Sequence, residues 1–222
     1  MAQRRTPSAA ASPSSSPSKD PLPFLVYGGA TSIGKYAIQL GKLSGCRVAA
    51  TASPKNHELL KSLGADEVVD YHDEAWTDKV YQLTNGNLKH AFNCISEQGS
   101  TPNISKALSR EGSDIYLLPI SPDLKSEITA TNTQVKAQST AVCIVFERAF
   151  SYGSFDNCGP ETPGDKAMWE KYLRLLTQFL DNGSIKPNRV RIMGTLDDVL
   201  EGFKLSRKNK VSAEKLVYKI VA

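Results

Sequence analysis

Phe24-Leu25-Val26-Tyr27 is an unbroken apolar run that leads directly into Gly28-Gly29-Ala30-Thr31-Ser32-Ile33-Gly34. A strand without polar alternation is apolar on both faces, so it belongs inside a parallel sheet covered by helices on either side. Residues 35–43 then carry apolar side chains at helical spacing. A buried strand, a glycine-rich turn and a helix in succession leave few folds open. If the unit repeats, the chain is an α/β protein with a doubly wound, Rossmann-type parallel sheet.

The unit does repeat. Residues 47–51 read as a second strand. Residues 53–63 read as a helix opened by Ser53-Pro54, a capping residue followed by a proline at the first helical position. Gly64 closes it. Strands are expected at 67–70, 91–95, 114–118 and 140–146, with helices at 74–85 and 101–109 between them. Residues 147–164 hold Gly153, Gly159, Pro160, Pro163 and Gly164 and read as loop. A long amphipathic helix spans 165–182, with Trp169, Tyr172, Leu176 and Leu180 on its apolar stripe and Gly183 at its end. A strand at 189–193, a helix at 196–206 and a strand at 215–221 finish the chain. Residues 1–22 are dominated by Ser, Pro and Ala, too little apolar surface to offset the entropy of ordering, and are expected to be disordered. The domain expectation is therefore 23–184 for the layered sheet and 185–222 for a segment of a different kind.

The turn between the first strand and helix stands where a dinucleotide fingerprint has meaning. Gly29 is expected to make the tight turn and Gly34 to let the helix lie against the sheet. The helix start offers free amides and a positive dipole end to a diphosphate, with Gly29, Ala30, Thr31, Ser32, Ile33 and Gly34 as the candidate contacts. Thr31 replaces the middle glycine of the pattern, and the Thr31 and Ser32 hydroxyls can donate to phosphate oxygens. A glycine turn that binds nothing is the alternative. After the second strand comes Thr51-Ala52-Ser53-Pro54-Lys55-Asn56, with no carboxylate to hold a ribose 2′-hydroxyl or repel a phosphate. Ser53, Lys55 and Asn56 suit a 2′-phosphate, so the expected cofactor is NADP(H). The alternative is that Ser53 only caps a helix and Lys55 is only solvated. Tyr71 follows the third strand and either packs on the adenine end or packs within the protein. His57, His72 and His90 read as isolated.

Composition excludes several classes. Net charge is +4, with Arg4, Arg5, Lys19, Arg207, Lys208 and Lys210 near the ends and mixed signs between, so no basic stripe for nucleic acid is expected. Cys46, Cys94, Cys143 and Cys158 match no zinc spacing, so no metal is expected. No apolar run approaches the ~20 residues that span a bilayer. A cytoplasmic setting is expected, with a mitochondrial presequence as the alternative. None of the eight tyrosines has Lys four residues on, which sets aside the Tyr-x-x-x-Lys chemistry of short-chain dehydrogenases.

Residues 27–34, Ala52-Ser53-Pro54-Lys55-Asn56, residues 63–71 (Leu-Gly-Ala-Asp-Glu-Val-Val-Asp-Tyr) and Val211-Ser212-Ala213-Glu214-Lys215-Leu216-Val217-Tyr218 resemble the medium-chain dehydrogenase/reductase superfamily. Within it, they are most similar to the zinc-independent enoyl reductases that act in trans with fungal polyketide synthases. The resemblance covers about residues 23–222. It implies NADP(H) in a Rossmann domain and reduction of an activated double bond, in a small molecule or acyl thioester, in a cleft against a GroES-like domain. Only 22 residues precede the sheet, so the expectation is the cofactor-binding half, with 185–222 a remnant of the GroES-like domain short of strand partners. A non-catalytic dinucleotide-binding module is the other reading. The resemblance further implies cofactor contacts at Cys94, Ile95, Leu117 and Leu118, substrate-side candidates at Phe146 and Phe150, and a polyketide synthase as partner.

Overall fold

The computed structural model describes residues 20–96, 99–111, 113–117, 131–139, 150–152, 155–158 and 165–220. Six parallel strands form the sheet: β1 (Pro23–Tyr27), β2 (Arg47–Thr51), β3 (Glu67–Val69), β4 (His90–Asn93), β5 (Ser113–Leu117) and β6 (Val135–Ser139). Their order across the sheet is β3-β2-β1-β4-β5-β6. The order reverses at β1, between β2 and β4, and that reversal opens a crevice at the carboxyl ends of the strands. Tyr27, Asn93, Leu117 and Ser139 share one register row there.

Helices cover both faces, as the apolar strands require. On one face Val26, Val48 and Ala50 pack with Ile38 of α1 (Ser32–Leu43) and Leu60 of α2 (His57–Ser62). On the other, Leu25, Ala49, Ala91 and Val135 pack with Trp76 and Val80 of α3 (Trp76–Leu83) and Ile104 and Ala107 of α4 (Ser100–Ala107). Adjacent residues of β1 and β2 thus face opposite layers, the period-two rule of a strand buried on both sides. Each fully buried leucine or isoleucine contributes about 1.5–3 kcal/mol.

Several expectations need correcting. The sixth strand of the sheet is β6 at Val135–Ser139, while residues 140–146 lie outside the described residues. The expected loop at 147–164 contains an antiparallel pair, β7 (Phe150–Tyr152) and β8 (Phe155–Cys158). The second helix begins as a 3-10 turn over Pro54–Asn56 before α2. The long helix α5 (Asp165–Asp181) ends before Gly183, whose φ of +74° stops it as expected. Trp169, Tyr172 and Leu180 of its apolar stripe are exposed.

Beyond α5, Ile185 is buried. β9 (Arg189–Thr195) and β10 (Glu214–Lys219) form a separate two-stranded parallel sheet, joined by a 3-10 turn at Leu196–Asp198 and α6 (Val199–Arg207). This module leaves Val190, Ile192, Leu196, Leu200, Phe203 and Ile220 exposed, Leu200 at 70%. It is nonetheless tied to the main sheet. Gln39 of α1 donates to the Lys186 carbonyl and accepts from the Lys186 amide, at 3.1 and 2.7 Å.

Candidate functional site

The turn after β1 is built by glycines with two different tasks. Gly28 takes the left-handed conformation, with φ +80°. The tight turn therefore falls on Gly28 and not on Gly29 as expected. Gly29 is required for space instead: a Cβ there would stand 2.8 Å from Leu60 Cδ1 and 3.1 Å from Ala50 Cβ. Gly34 fits its expected task, since a Cβ would stand 2.3 Å from the Gly28 carbonyl oxygen. The Gly28 amide donates to Thr51 Oγ1 and the Gly29 amide to the Thr51 carbonyl. These bonds fasten the turn to the end of β2.

Thr31 caps α1. Its hydroxyl donates to the Gly28 carbonyl at 2.8 Å and accepts from the Gly34 amide at 2.9 Å. In this structure the Thr31 hydroxyl hydrogen therefore serves the turn. The Ala30, Ser32 and Ile33 amides have no hydrogen-bond partner among the described residues. They lie at the positive end of a twelve-residue helix. Three unpaired donors at a helix start, beside the crevice, form a cradle for an anion.

Cys94 and Ile95 follow β4 on the other side of that turn. A Cβ on Gly28 would touch both side chains, at 3.5 Å for Cys94 and 2.9 Å for Ile95. Burial pushes the Cys94 thiol up to about 12, although a hydrogen bond with Thr31 acts in the opposite direction. The thiol is therefore neutral and serves as packing. Asn93, which sequence reasoning missed, organises this loop. It is fully buried. Its Nδ2 donates to Ser100 Oγ and Thr101 Oγ1, each at 2.9 Å, and its Oδ1 accepts from the Ile95 and Ser96 amides. A lone Asn ending an apolar strand was the available clue. Leu117 ends β5 in the same register row. Leu118 and Phe146 lie outside the described residues, and Phe150 begins β7.

The strip after β2 has its own geometry. Ser53 precedes the 3-10 turn but makes no side-chain cap bond there. Its hydroxyl instead meets the Tyr71 hydroxyl at 3.2 Å. Lys55 is exposed. Asn56 turns away, its Nδ2 donating to Ser212 Oγ at 3.2 Å. Tyr71 is half-exposed and sits near Tyr27, with ring centroids 6.4 Å apart. Burial, and then the neighbouring Tyr71, raise the Tyr27 hydroxyl above its ordinary value. The histidines expected to be isolated have partners. His57 Nε2 donates to the Ala52 carbonyl. The His72 amide and ring both donate to Asp70 and hold that carboxyl below its ordinary range. Among the described residues, no three His, Cys, Asp or Glu side chains gather to hold a metal. No helix there is long and apolar enough to cross a membrane.

Comparison with known proteins agrees with this geometry. Residues 32–143 match the family model of the zinc-binding dehydrogenases. A trans-enoyl reductase of Macrophomina phaseolina is 36% identical over 217 residues, covering 96% of this chain and 59% of that protein. A trans-enoyl reductase of Petromyces alliaceus is 32% identical over 203 residues, covering 91% of this chain and 56% of that protein. Among solved structures, CurA of Vibrio vulnificus in complex with NADPH aligns at a TM-score of 0.65 and 19% identity, covering 92% of this chain and 58% of that one. The structural likeness is one of fold. The chain spans little more than half the length of the curated relatives it matches.

Proposed function

The chain belongs to the zinc-binding dehydrogenase family, and we propose that it is the cofactor-binding half of an NADP(H)-dependent enoyl reductase. The observation that carries this reading is the set of Ala30, Ser32 and Ile33 amides at the start of α1, without a partner among the described residues and beside the β1–β4 crevice. A diphosphate satisfies those donors and the helix dipole together. The bound nicotinamide supplies the hydride, and the protein's part is to grip, orient and shield it. Gly34 keeps α1 close beneath the turn. Cys94 and Ile95 wall the crevice, with Asn93 fixing their backbone. Leu117 stands at the next strand end, and Leu118, next in the sequence, is proposed as a further contact. Ser53, Tyr71 and Lys55 line the strip suited to a 2′-phosphate, and the freedom of Ser53 from capping supports that role.

On this reading the substrate is an activated alkene in an acyl thioester, delivered by a polyketide synthase, and Phe146 and Phe150 approach it. Residues 185–222 pack against a GroES-like domain through the apolar side chains of the β9–α6–β10 module. The setting is cytoplasmic.

The test is a fluorescence titration of the protein with NADPH and with NADH, followed by an assay on a crotonyl thioester. NADPH is expected to bind more tightly. Equal affinity for the two refutes the 2′-phosphate strip. Indifference to both at millimolar levels refutes the site. Binding without thioester-dependent NADPH oxidation leaves a dinucleotide-binding module and refutes catalysis by this chain.

A further inference from the structure

Lys35 stands where a positive charge is least welcome. It follows Gly34 in the opening of α1, at the positive end of the helix dipole. It is 3% exposed, and burial disfavours an ammonium. Arg189 of β9 and Lys215 of β10 add like charge. Glu214 opposes them, but its carboxylate is also held by Arg191. Burial first, and these cations second, lower the Lys35 ammonium below its ordinary value.

Its Nζ donates to the Ala213 carbonyl at 2.7 Å. Ala213 has a φ of +55°, a left-handed conformation that alanine holds only under constraint from its surroundings. Two costly features therefore face each other, one on the diphosphate turn and one at the entry to β10. Neighbouring bonds join the same two segments: Asn188 Nδ2 donates to the Ser32 carbonyl, and Gln39 brackets Lys186. Two cations and one carboxylate act on this ammonium, and Lys35 follows directly in sequence on the turn that carries the Ala30, Ser32 and Ile33 amides.

We propose that Lys35 is a positioning residue whose buried charge links dinucleotide binding to the docking of residues 186–213 on α1, with the diphosphate as its missing counter-charge. The inference rests on the reading of the α1 turn as a diphosphate site. Its sign is fixed. An anion raises the lowered ammonium back toward its ordinary value, so between the free and bound values binding takes up a proton. Affinity then falls as pH rises through that window, about tenfold for each unit by which binding raises the ammonium.

The experiment is calorimetric titration of NADPH into the full chain at about pH 9.5, below the range of an ordinary lysine, in two buffers of different ionisation enthalpy. Wild type is expected to take up part of a proton. Lys35→Arg keeps the charge but does not titrate, so it should retain affinity and lose the uptake. Lys35→Met should lose both, with affinity down about tenfold, and should lose the NADPH-induced protection of residues 211–215 from hydrogen exchange. If Lys35→Met does not fold, wild type and Lys35→Arg decide the question. Binding of NADPH by wild type without proton uptake overturns the proposal, as does uptake that persists in Lys35→Arg. Failure of wild type to bind NADPH at all overturns the underlying site reading as well.

Discussion

Gly34→Ala tests the architecture of the turn with a single methyl group. Two effects oppose each other. Gly34 is the third residue of α1, and alanine gains up to about 1 kcal/mol over glycine in a helix. The added Cβ, however, would stand 2.3 Å from the Gly28 carbonyl oxygen and 2.8 Å from the Gly29 Cα. Both are backbone atoms, and the Gly28–Gly29 segment is pinned to Thr51 by two hydrogen bonds. No side chain can rotate away, so α1 or the turn must move. Overpacking of this kind costs about 1–3 kcal/mol, and the upper end applies where backbone must shift. The clash outweighs the propensity gain, leaving a net loss of about 2 kcal/mol. In a chain of this length that lowers Tm by about 4–8 °C. The displaced turn also misaligns the Ala30, Ser32 and Ile33 amides, so NADPH affinity should fall further than stability alone requires. Thermal melts and NADPH titration read the two effects separately. A variant with unchanged Tm and affinity would refute the close-packing account of Gly34.

Three further outcomes follow from the same geometry. Ser53→Asp places a carboxylate beside Tyr71, and NADH should then bind more tightly than NADPH in paired titrations; an unchanged order would count against the strip. Asn93→Ala removes the donor to the buried Ser100 and Thr101 hydroxyls and the acceptor of the Ile95 and Ser96 amides, at a cost of about 3 kcal/mol in urea denaturation, with faster hydrogen exchange at 95–96; a loss under about 0.5 kcal/mol would contradict its organising role. Cys94, raised to about 12, is almost wholly thiol at pH 8, so peptide mapping should find it alkylated about a thousandfold more slowly than an unhindered cysteine. Its thiolate fraction should rise only as pH approaches that value, and brisk modification of the folded protein would show the burial argument to be wrong.

Much of the sheet was legible because its strands are short, apolar and separated by helices with clear ends. Gly34 was legible because one spacing serves both motif and packing. The choice between Gly28 and Gly29 for the turn was not. It depends on Leu60, Ala50 and Ile38 pressing on Gly29 from elements the local sequence does not reveal. β6 reads Val-Lys-Ala-Gln-Ser, alternating and half polar, so the more apolar run after it drew the expectation. The β7–β8 pair hid among glycines and prolines that ordinarily mark loop. Asn93 was overlooked because a buried asparagine is informative only once its four partners are known. Lys35 and Ala213 lie 178 residues apart, and no local pattern connects them.

The fastening of residues 186–213 onto α1 has a bearing on how the molecule comes into being. A ribosome releases the sheet-forming residues before residues 186–213, and β1 to β6 are complete by Ser139. The segment bonded to the Ser32 carbonyl and to Lys35 arrives only with Asn188 and Ala213, after the sheet. A nascent chain can thus possess its layered scaffold well before its pocket acquires a finished wall, and a ligand present during translation would favour the last step rather than the first.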